Sequence, residues 1–321
     1  MIINDVVYGE HKITEPVLLD LIETPELDRL KRVSQFGMPS YLYNFPTFSR
    51  YEHSIGVMLL LGKVGADLEE QVAGLLHDVS HSAFSHLIDW IYGTETKENH
   101  QDEVYHNFFM KSSLPSVLLK YELDPERIVN HDLFSLLEQP APLLCADRVD
   151  YTLREMALYR SLNDVQFARN SLFANKRVMF NNREAAEIFA RNYMDCQVEH
   201  WGATEFKTRW RLLSDALKSA MHDGIVFYED LFTDDFVVLE KLERSENPDI
   251  RKNLELLKRK FDIVDDPDGP IELKKKFRYV DPEFLENGIV YRVTEVNPEY
   301  RKRLEYEMEI GKMVQRVKIV S

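Results

Sequence analysis

The 321-residue chain lacks the features of secreted and membrane proteins. It contains no apolar run of the roughly 18 residues that a membrane span requires. Its N-terminus is charged early and has no apolar core of the kind found in signal peptides. The two cysteines, Cys145 and Cys196, lie far apart and outside any CxxC pattern. We therefore expect reduced thiols, no membrane association and a cytoplasmic location.

Positive charge is also scarce, since the formal net charge is −15. A surface of this sign repels a phosphate backbone, so we do not expect the chain to bind duplex nucleic acid. The single basic run, from Lys274 to Arg278, is interpreted as a solvated surface segment. A compact anionic ligand held in a cleft remains compatible with this composition.

Hydrophobic periodicity predicts a mainly α-helical protein. Residues 1–13 carry Val, Ile and Tyr and predict a short strand or hairpin. Apolar residues then recur at three- and four-residue spacing from Pro16 to about Met221. This pattern is interrupted by an aromatic-rich loop at 36–48, and 184–221 predicts one long helix or two abutting ones.

The character of the chain changes after Gly224. Residues 233–260 predict charged helices, and residues 288–296 alternate in the manner of a strand. We expect the segment 313–320 to pair with that strand. The predicted organisation is a helical body over 1–225 and a smaller α+β region over 226–321.

The histidines are concentrated in one part of the sequence, since five of the ten lie between residues 77 and 106. Imidazoles interleaved with carboxylates are what a metal site or a proton-transfer site requires. A His-Asp doublet alone is uninformative, because the chain has three, beginning at His77, His131 and His222. The last two are interpreted as structural, because one has no histidines nearby and the other precedes a glycine at a helix end.

The first doublet, His77-Asp78, differs in its context. It ends an apolar stretch and so leaves the core at a helix end, and His81 falls about one helical turn further on. His86 and Asp89 follow at a spacing of three residues. This segment carries more metal ligands and proton carriers than packing needs.

One helix cannot surround an ion, so further ligands must come from elsewhere. His53 lies three residues after Arg50 near a predicted helix start, and Asp147 lies in the helical segment CADRVDYTLRE. A mixed set of histidines and aspartates accepts borderline or hard divalent ions without selecting among them. We therefore predict one divalent metal ion, which could be Mn, Fe, Mg, Ni, Zn or Co, bound by His53, His77, Asp78 and Asp147.

The segments RYEHS at 50–54, HDVSHSAFSH at 77–86 and DRVDY at 147–151 together resemble the HD-domain phosphohydrolase superfamily. The resemblance is to the deoxynucleoside triphosphate (dNTP) triphosphohydrolase branch, which includes bacterial dGTPases and the dNTPase that carries a sterile-alpha-motif domain. It covers about residues 5 to 160 and implies an HD-domain helical bundle. It also implies a homo-oligomer that binds a nucleotide and hydrolyses phosphate esters to nucleoside and inorganic triphosphate.

The resemblance implies roles for individual residues. The same four residues match the family's metal ligands: His53, His77, Asp78 and Asp147. Residues implied in acid/base or nucleophilic work are an Asp–His pair and two further histidines, namely Asp89, His100, His81 and His86. Residues implied to bind the phosphates or the sugar are Arg50, Arg148, Tyr151, Gln35, Phe36 and Glu155; His86 also matches a phosphate-contacting position.

The chain departs from this family pattern at several positions. Gln101 stands where an acidic residue is expected, with Asp102 and Glu103 as possible stand-ins. Glu155 replaces an aspartate that is directed at the sugar. A tyrosine that closes the 2′ face of the sugar is not evident, and Tyr193, Glu199 and His200 are all candidates for its position.

Three functional hypotheses remain open from the sequence. The first is a dNTP triphosphohydrolase. The second is a phosphohydrolase that acts on nucleoside monophosphates or ribonucleotides. The third is a non-catalytic nucleotide sensor, which the presence of both Asp89 and His100 disfavours because a sensor does not need acid/base residues.

Overall fold

The computed structural model describes residues 1–274 and 276–320. Its α-helices are α1 (Pro16–Ile22), α2 (Pro25–Leu30), α3 (Arg50–Val64), α4 (Leu68–Leu76), α5 (Leu87–Tyr92), α6 (His100–Lys111), α7 (Leu114–Lys120), α8 (Pro125–Ile128), α9 (Ala146–Tyr159), α10 (Leu162–Asn170), α11 (Arg183–Cys196), α12 (Thr204–His222), α13 (Asp235–Glu243), α14 (Pro248–Lys258), α15 (Val293–Val296) and α16 (Pro298–Gly311). Its strands are β1 (Ile2–Asp5), β2 (Gly9–Lys12), β3 (Leu172–Ala174), β4 (Val178–Phe180), β5 (Asp262–Asp265), β6 (Ile271–Leu273), β7 (Glu283–Glu286), β8 (Ile289–Arg292) and β9 (Gln315–Val320).

The prediction of a mainly α-helical protein with an N-terminal hairpin is confirmed. Strands β1 and β2 pair antiparallel, and the Asp5 carboxylate accepts the backbone N–H groups of Val7 and Tyr8 in the turn between them. The predicted loop at 36–48 contains no helix or strand. The long helical stretch is divided into α11 and α12 by a π-helical turn at Gln197–Trp201.

Three details of the predicted secondary structure are wrong. Strands β3 and β4 lie within the stretch predicted to be helical, and β4 pairs in parallel with β7, more than a hundred residues away. The predicted strand at 288–296 stops at Arg292, because the Asp281 carboxylate accepts the N–H of Thr294 and α15 begins there. Strand β9 pairs with β5 and β6, not with that segment.

The core consists of two clusters of buried apolar side chains. One is built mainly from α1 to α4 and α6 to α11, and it includes Phe284 and Leu304 from the C-terminal region. The other lies around α5 and α12 to α14 and includes Leu273 and Val317. Contacts therefore cross residue 225 in both clusters, and the division of the chain into two domains at that position stays a prediction.

Helix α3 is held close to α9, and this contact positions the site. A capping box formed by Ser49 and Glu52 starts α3, so that Arg50 and His53 lie in its first turn. Gly56 permits the close approach, because a Cβ at this position would lie 2.0 Å from Oδ1 of Asp150 on α9. Helix α4 also packs against α3, and His77 is its C-cap residue.

Within the described residues, no helix is both long and apolar enough to cross a membrane. Cys145 and Cys196 are both buried and free.

Candidate active site

The main cleft of the protein has a volume of about 770 Å³ and lies where α3, α4, α9 and α11 converge. The residues that line this cleft include the predicted site residues Gln35, Phe36, Arg50, His77, Asp78, His81, His86, Asp147, Arg148 and Tyr151. These residues come from distant parts of the sequence, and the fold brings them to one surface. His53 lies beneath that surface and is fully buried.

Three predicted metal ligands form a compact cluster. Nε2 of His53 lies 2.9 Å from Oδ1 of Asp147 and 3.2 Å from Nε2 of His77. The ligand atoms of these three residues all lie within 4.8 Å of one another. One ion could therefore contact all three residues with small side-chain adjustments.

The outer nitrogen of each histidine is engaged elsewhere. Nδ1 of His53 lies 2.7 Å from Oδ2 of Asp150, and Nδ1 of His77 lies 2.8 Å from the carbonyl oxygen of Gly74. Because both partners are acceptors, the neutral form of each ring carries its proton on Nδ1 and leaves the lone pair of Nε2 for the cluster. Two lone pairs and a carboxylate directed at one point fit a cation between them.

The electrostatics of the cluster are consistent with this. Burial lowers the pKa of His53, but hydrogen bonds with Asp147 and Asp150 outweigh it and raise that pKa to about 9. Burial also opposes ionisation of Asp147, yet His53 and His77 hold its pKa far below the ordinary value. A proton on His53 and a divalent ion would therefore compete for the negative charge of this centre.

Asp78 lies beside the cluster. Its Oδ1 is 3.4 Å from Nε2 of His77 and 3.3 Å from Nε2 of His81, and its Oδ2 accepts a hydrogen bond of 2.6 Å from Nη1 of Arg50. Burial raises the pKa of this carboxyl, but Arg50, His77 and His81 together hold it well below its usual range. Asp78 is therefore an ionised carboxylate with one oxygen facing the histidines.

A second group of possible ligands, Glu138, Cys145 and Asp147, is less suited to a metal ion. Nη1 of Arg148 lies 3.3 Å from Sγ of Cys145, and its Nη2 lies 3.4 Å from Oε1 of Glu138. The guanidinium already provides the positive charge that this group of acceptors would otherwise attract.

The side chains of the predicted acid/base residues do not pair as expected. Oδ2 of Asp89 lies 3.5 Å from Nδ1 of His86, whereas Oδ1 accepts the backbone N–H of His100. The His100 ring stacks on Tyr92 and its Nε2 lies 3.2 Å from the hydroxyl of Tyr228, outside the cleft lining. The expected pairing of the Asp89 and His100 side chains is therefore not what the structure shows.

His86, in contrast, lies in the cleft with its ring 4.9 Å from that of His81. Burial lowers the pKa of His86, although Asp89 opposes this shift. A neutral imidazole that faces a carboxylate at 3.5 Å is suited to accept and return a proton.

The predicted phosphate-binding arginines are already engaged. Arg50 is buried and donates to Asp78, to Oγ of Ser85 at 2.7 Å and to the carbonyl oxygen of Gln35 at 3.3 Å. Arg148 donates to the carbonyl oxygens of Leu143 and Gln139, at 2.6 Å and 3.1 Å. Both side chains line the cleft, but loop carbonyls hold Arg148.

The residues predicted near the sugar are divided between two cavities. Gln35, Phe36 and Tyr151 line the main cleft, where the hydroxyls of Tyr151 and Tyr193 lie 2.8 Å apart. Glu155 lies outside that cleft, contrary to expectation. Its Oε1 is 2.6 Å from Nδ1 of His200, and it lines a second cavity of about 160 Å³.

The structure separates the three residues considered for the missing tyrosine at the 2′ face of the sugar. Tyr193 reaches the main cleft, whereas Glu199 and His200 line the second cavity. Gln101 donates to the carbonyl oxygen of His77, and Asp102 lines the cleft beside it.

Several cleft residues were missed or assigned otherwise in the sequence analysis. His131 belongs to the wall, with its ring 4.6 Å from that of Tyr105, although its doublet was interpreted as structural. Lys276 and Arg278 also line the cleft, so the interpretation of this basic run as solvated surface is wrong for them. Lys275 lies outside the described residues. The only signal in the sequence was the local concentration of positive charge in an acidic chain.

Comparison with known proteins places this site in a family. The model of the HD domain matches residues 50–155, which include all four predicted metal ligands. "Uncharacterized protein YdhJ" of Bacillus subtilis is 36% identical over 100% of both chains. "Metal-dependent phosphohydrolase cns2" of Cordyceps militaris is 31% identical over 90% of this chain and 86% of its own.

Two further similarities are more limited. The deoxynucleoside triphosphate triphosphohydrolase SAMHD1 of Bos taurus is 30% identical over 43% of this chain, and the match covers 26% of that protein. A crystal structure of a phosphohydrolase from Bacteroides thetaiotaomicron superposes with a TM-score of 0.66 at 18% identity, covering 93% of this chain and 95% of the other, which shows a shared fold. With the relative from Cordyceps aligned over most of both chains and the HD motif intact, the chain belongs to the HD-domain metal-dependent phosphohydrolases.

Proposed function

We propose that the protein is a dNTP triphosphohydrolase that releases nucleoside and inorganic triphosphate. The observation that carries this proposal is the single cleft of about 770 Å³ that joins the His/Asp cluster to Gln35, Phe36, Tyr151 and Tyr193. Its size lies within the range of pockets that hold drug-sized ligands, about 300–1,000 Å³, and exceeds what a small phosphoester needs. The name of the partially matching SAMHD1 relatives supports the same substrate class.

Each group has a proposed role in this reaction. His53, His77 and Asp147, with Asp78 as a fourth ligand, hold a divalent ion, which when bound supplies Lewis acidity toward a phosphoryl oxygen. Water attacks the phosphorus that carries the nucleoside oxygen as the bond between them breaks. His86, whose Nδ1 lies 3.5 Å from Oδ2 of Asp89, accepts a proton from the water and returns a proton to the leaving nucleoside oxygen.

The remaining cleft residues orient the substrate. His81 lies between Asp78 and His86 and contacts the same phosphate. Gln35 and Phe36 hold the sugar, and the Tyr151–Tyr193 pair closes one side of it.

A second candidate is hydrolysis of nucleoside monophosphates. The observation that favours it is the engagement of Arg148 by two backbone carbonyls, which leaves this arginine less available to a triphosphate. The displacement of Glu155 into the second cavity also weakens the parallel with dNTPases.

A product-resolved screen separates these candidates. Metal-depleted protein is loaded with Mn, Fe, Mg, Ni, Zn or Co and incubated with dNTPs, NTPs and monophosphates, and the products are identified by chromatography and mass. Nucleoside plus triphosphate is expected from dNTPs. Orthophosphate from monophosphates alone would select the second candidate, and binding without turnover of any substrate would contradict both.

A further inference from the structure

The C-terminal region contributes a cationic wall to the cleft. Lys276 and Arg278 follow β6 without regular secondary structure and line the cleft together with Lys207 of α12. The segment is anchored, because Lys276 donates to the carbonyl oxygen of Lys97 and the backbone N–H of Arg278 donates to Oε1 of Gln197. A tethered segment of this kind holds its charges at defined positions.

The buried carboxylate of Glu98 forms ion pairs with two of these cations. One of its oxygens pairs with Nη2 of Arg278, and the other lies 3.7 Å from Nζ of Lys207. The Glu98 side chain has no exposed surface, whereas that of Arg278 is 24% exposed. Glu98 also adopts a left-handed φ of +51°, which is costly for a residue other than glycine. It therefore orients one edge of the guanidinium and leaves part of the group facing the cleft.

Arg50, His86 and Arg278 all line the cleft. The positive charge of Arg278 repels that of Arg50 and disfavours a second proton on His86. The carboxylates of Glu98 and Asp102 partly offset the positive charge of Lys276. The Arg50 side chain is only 3% exposed and all its nitrogens have partners, so Arg278 is the arginine better placed to donate to phosphate oxygens in the cleft.

We propose that Arg278, assisted by Lys276, binds the outer phosphate groups of the substrate in the same cleft as the metal cluster. This inference rests on the proposed hydrolysis of a nucleoside triphosphate and deepens it. In this proposal, the C-terminal region makes the protein prefer substrates with several phosphate groups over substrates with one. Glu98 acts as a positioning residue that holds Arg278 in place.

Arg278→Gln and Lys276→Gln test the proposal, with Arg244→Gln and Lys274→Gln as controls. Arg244 is exposed and pairs with Glu240, and Lys274 pairs with Glu272 without lining the cleft. Arg278→Gln should weaken binding of inorganic tripolyphosphate, measured by calorimetry, and raise the KM for a triphosphate by about 10- to 100-fold. The KM for the matching monophosphate should change far less, Lys276→Gln should have a smaller effect, and metal content should be unchanged in every variant.

If Arg278→Gln fails to fold because Glu98 is left unpaired, the double variant Arg278→Gln/Glu98→Gln removes both charges and supplies the same test. Tripolyphosphate affinity within about twofold of the controls, in whichever variant folds, would overturn the proposal. Failure of the wild-type protein to hydrolyse any triphosphate would refute the proposed function instead, since the binding measurement does not depend on turnover.

Discussion

Replacing Asp150 by asparagine should both destabilise the protein and weaken metal binding. Oδ2 of Asp150 is 2.7 Å from Nδ1 of His53 and 2.8 Å from Nε of Arg154, and the side chains of all three are at most 1% exposed. Arg154 also donates to Oδ2 of Asp5 at 2.6 Å. An asparagine has similar size, but it removes the negative charge on which both donors converge.

The magnitudes follow from the burial of this network. Removing one partner of a buried ion pair costs about 3–5 kcal/mol, and the lower value applies because Asp5 still pairs with Arg154. Loss of the carboxylate behind a ligating histidine lowers metal affinity by about 10- to 100-fold, or about 1.4 to 2.7 kcal/mol.

A matched variant separates the two effects. Asp5→Asn weakens the same arginine network without touching His53, so it should lower stability but leave metal affinity near the wild-type value. Urea unfolding and titration of metal-depleted protein with Mn²⁺ measure the two quantities. Wild-type metal affinity in Asp150→Asn, or an equal loss of affinity in Asp5→Asn, would refute the idea that Asp150 acts through His53.

Three further predictions concern the same part of the molecule. Gly56→Ala should lower the melting temperature despite the helix propensity of alanine, because its Cβ would lie 2.0 Å from Oδ1 of Asp150; an increase would contradict the close contact. His77→Ala should lose metal and activity together, whereas His86→Ala should keep the metal and lose about 100-fold or more in kcat, as metal analysis and kinetics will show. Burial opposes ionisation of Glu98, but Arg278 and Lys207 lower its pKa to about 2 from 4.5. It should therefore contribute about 3 kcal/mol of stability above pH 4.5, lost as the pH falls toward 2 and absent in Glu98→Gln, as urea unfolding across this range will measure.

Much of the helical architecture was predictable because its signals are local. Apolar spacing and the proline at the start of α1 mark helices in any context, and the hairpin around Gly9 depends on contacts within thirteen residues. Strands β3 and β4 carry only three residues each and gain their parallel partner β7 from the far end of the chain. A pattern that short has no period to detect, so a tertiary contact decides its conformation.

The proximity of the proposed metal ligands was predictable for a different reason. The spacing of His77 and Asp78 within a histidine-rich segment is visible in the sequence, and the resemblance links them to His53 and Asp147. Side-chain partnership is not visible in that way. Asp89 lies three residues after His86 and eleven before His100, and only the fold shows that its carboxylate faces the His86 ring and the His100 backbone.

Lys276 and Arg278 show that the net charge of a chain does not predict the surroundings of an individual cation. A charge of −15 describes the whole surface, whereas interactions between exposed charges are screened beyond about 10 Å at ordinary salt concentrations. The state of a cation in a cleft is set by the few groups around it, and for Arg278 those include Glu98, Tyr151 and Tyr193. An acidic surface can therefore exclude long polyanions while a recessed group of cations accepts a short one. That combination is consistent with the proposed hydrolysis of a free nucleotide.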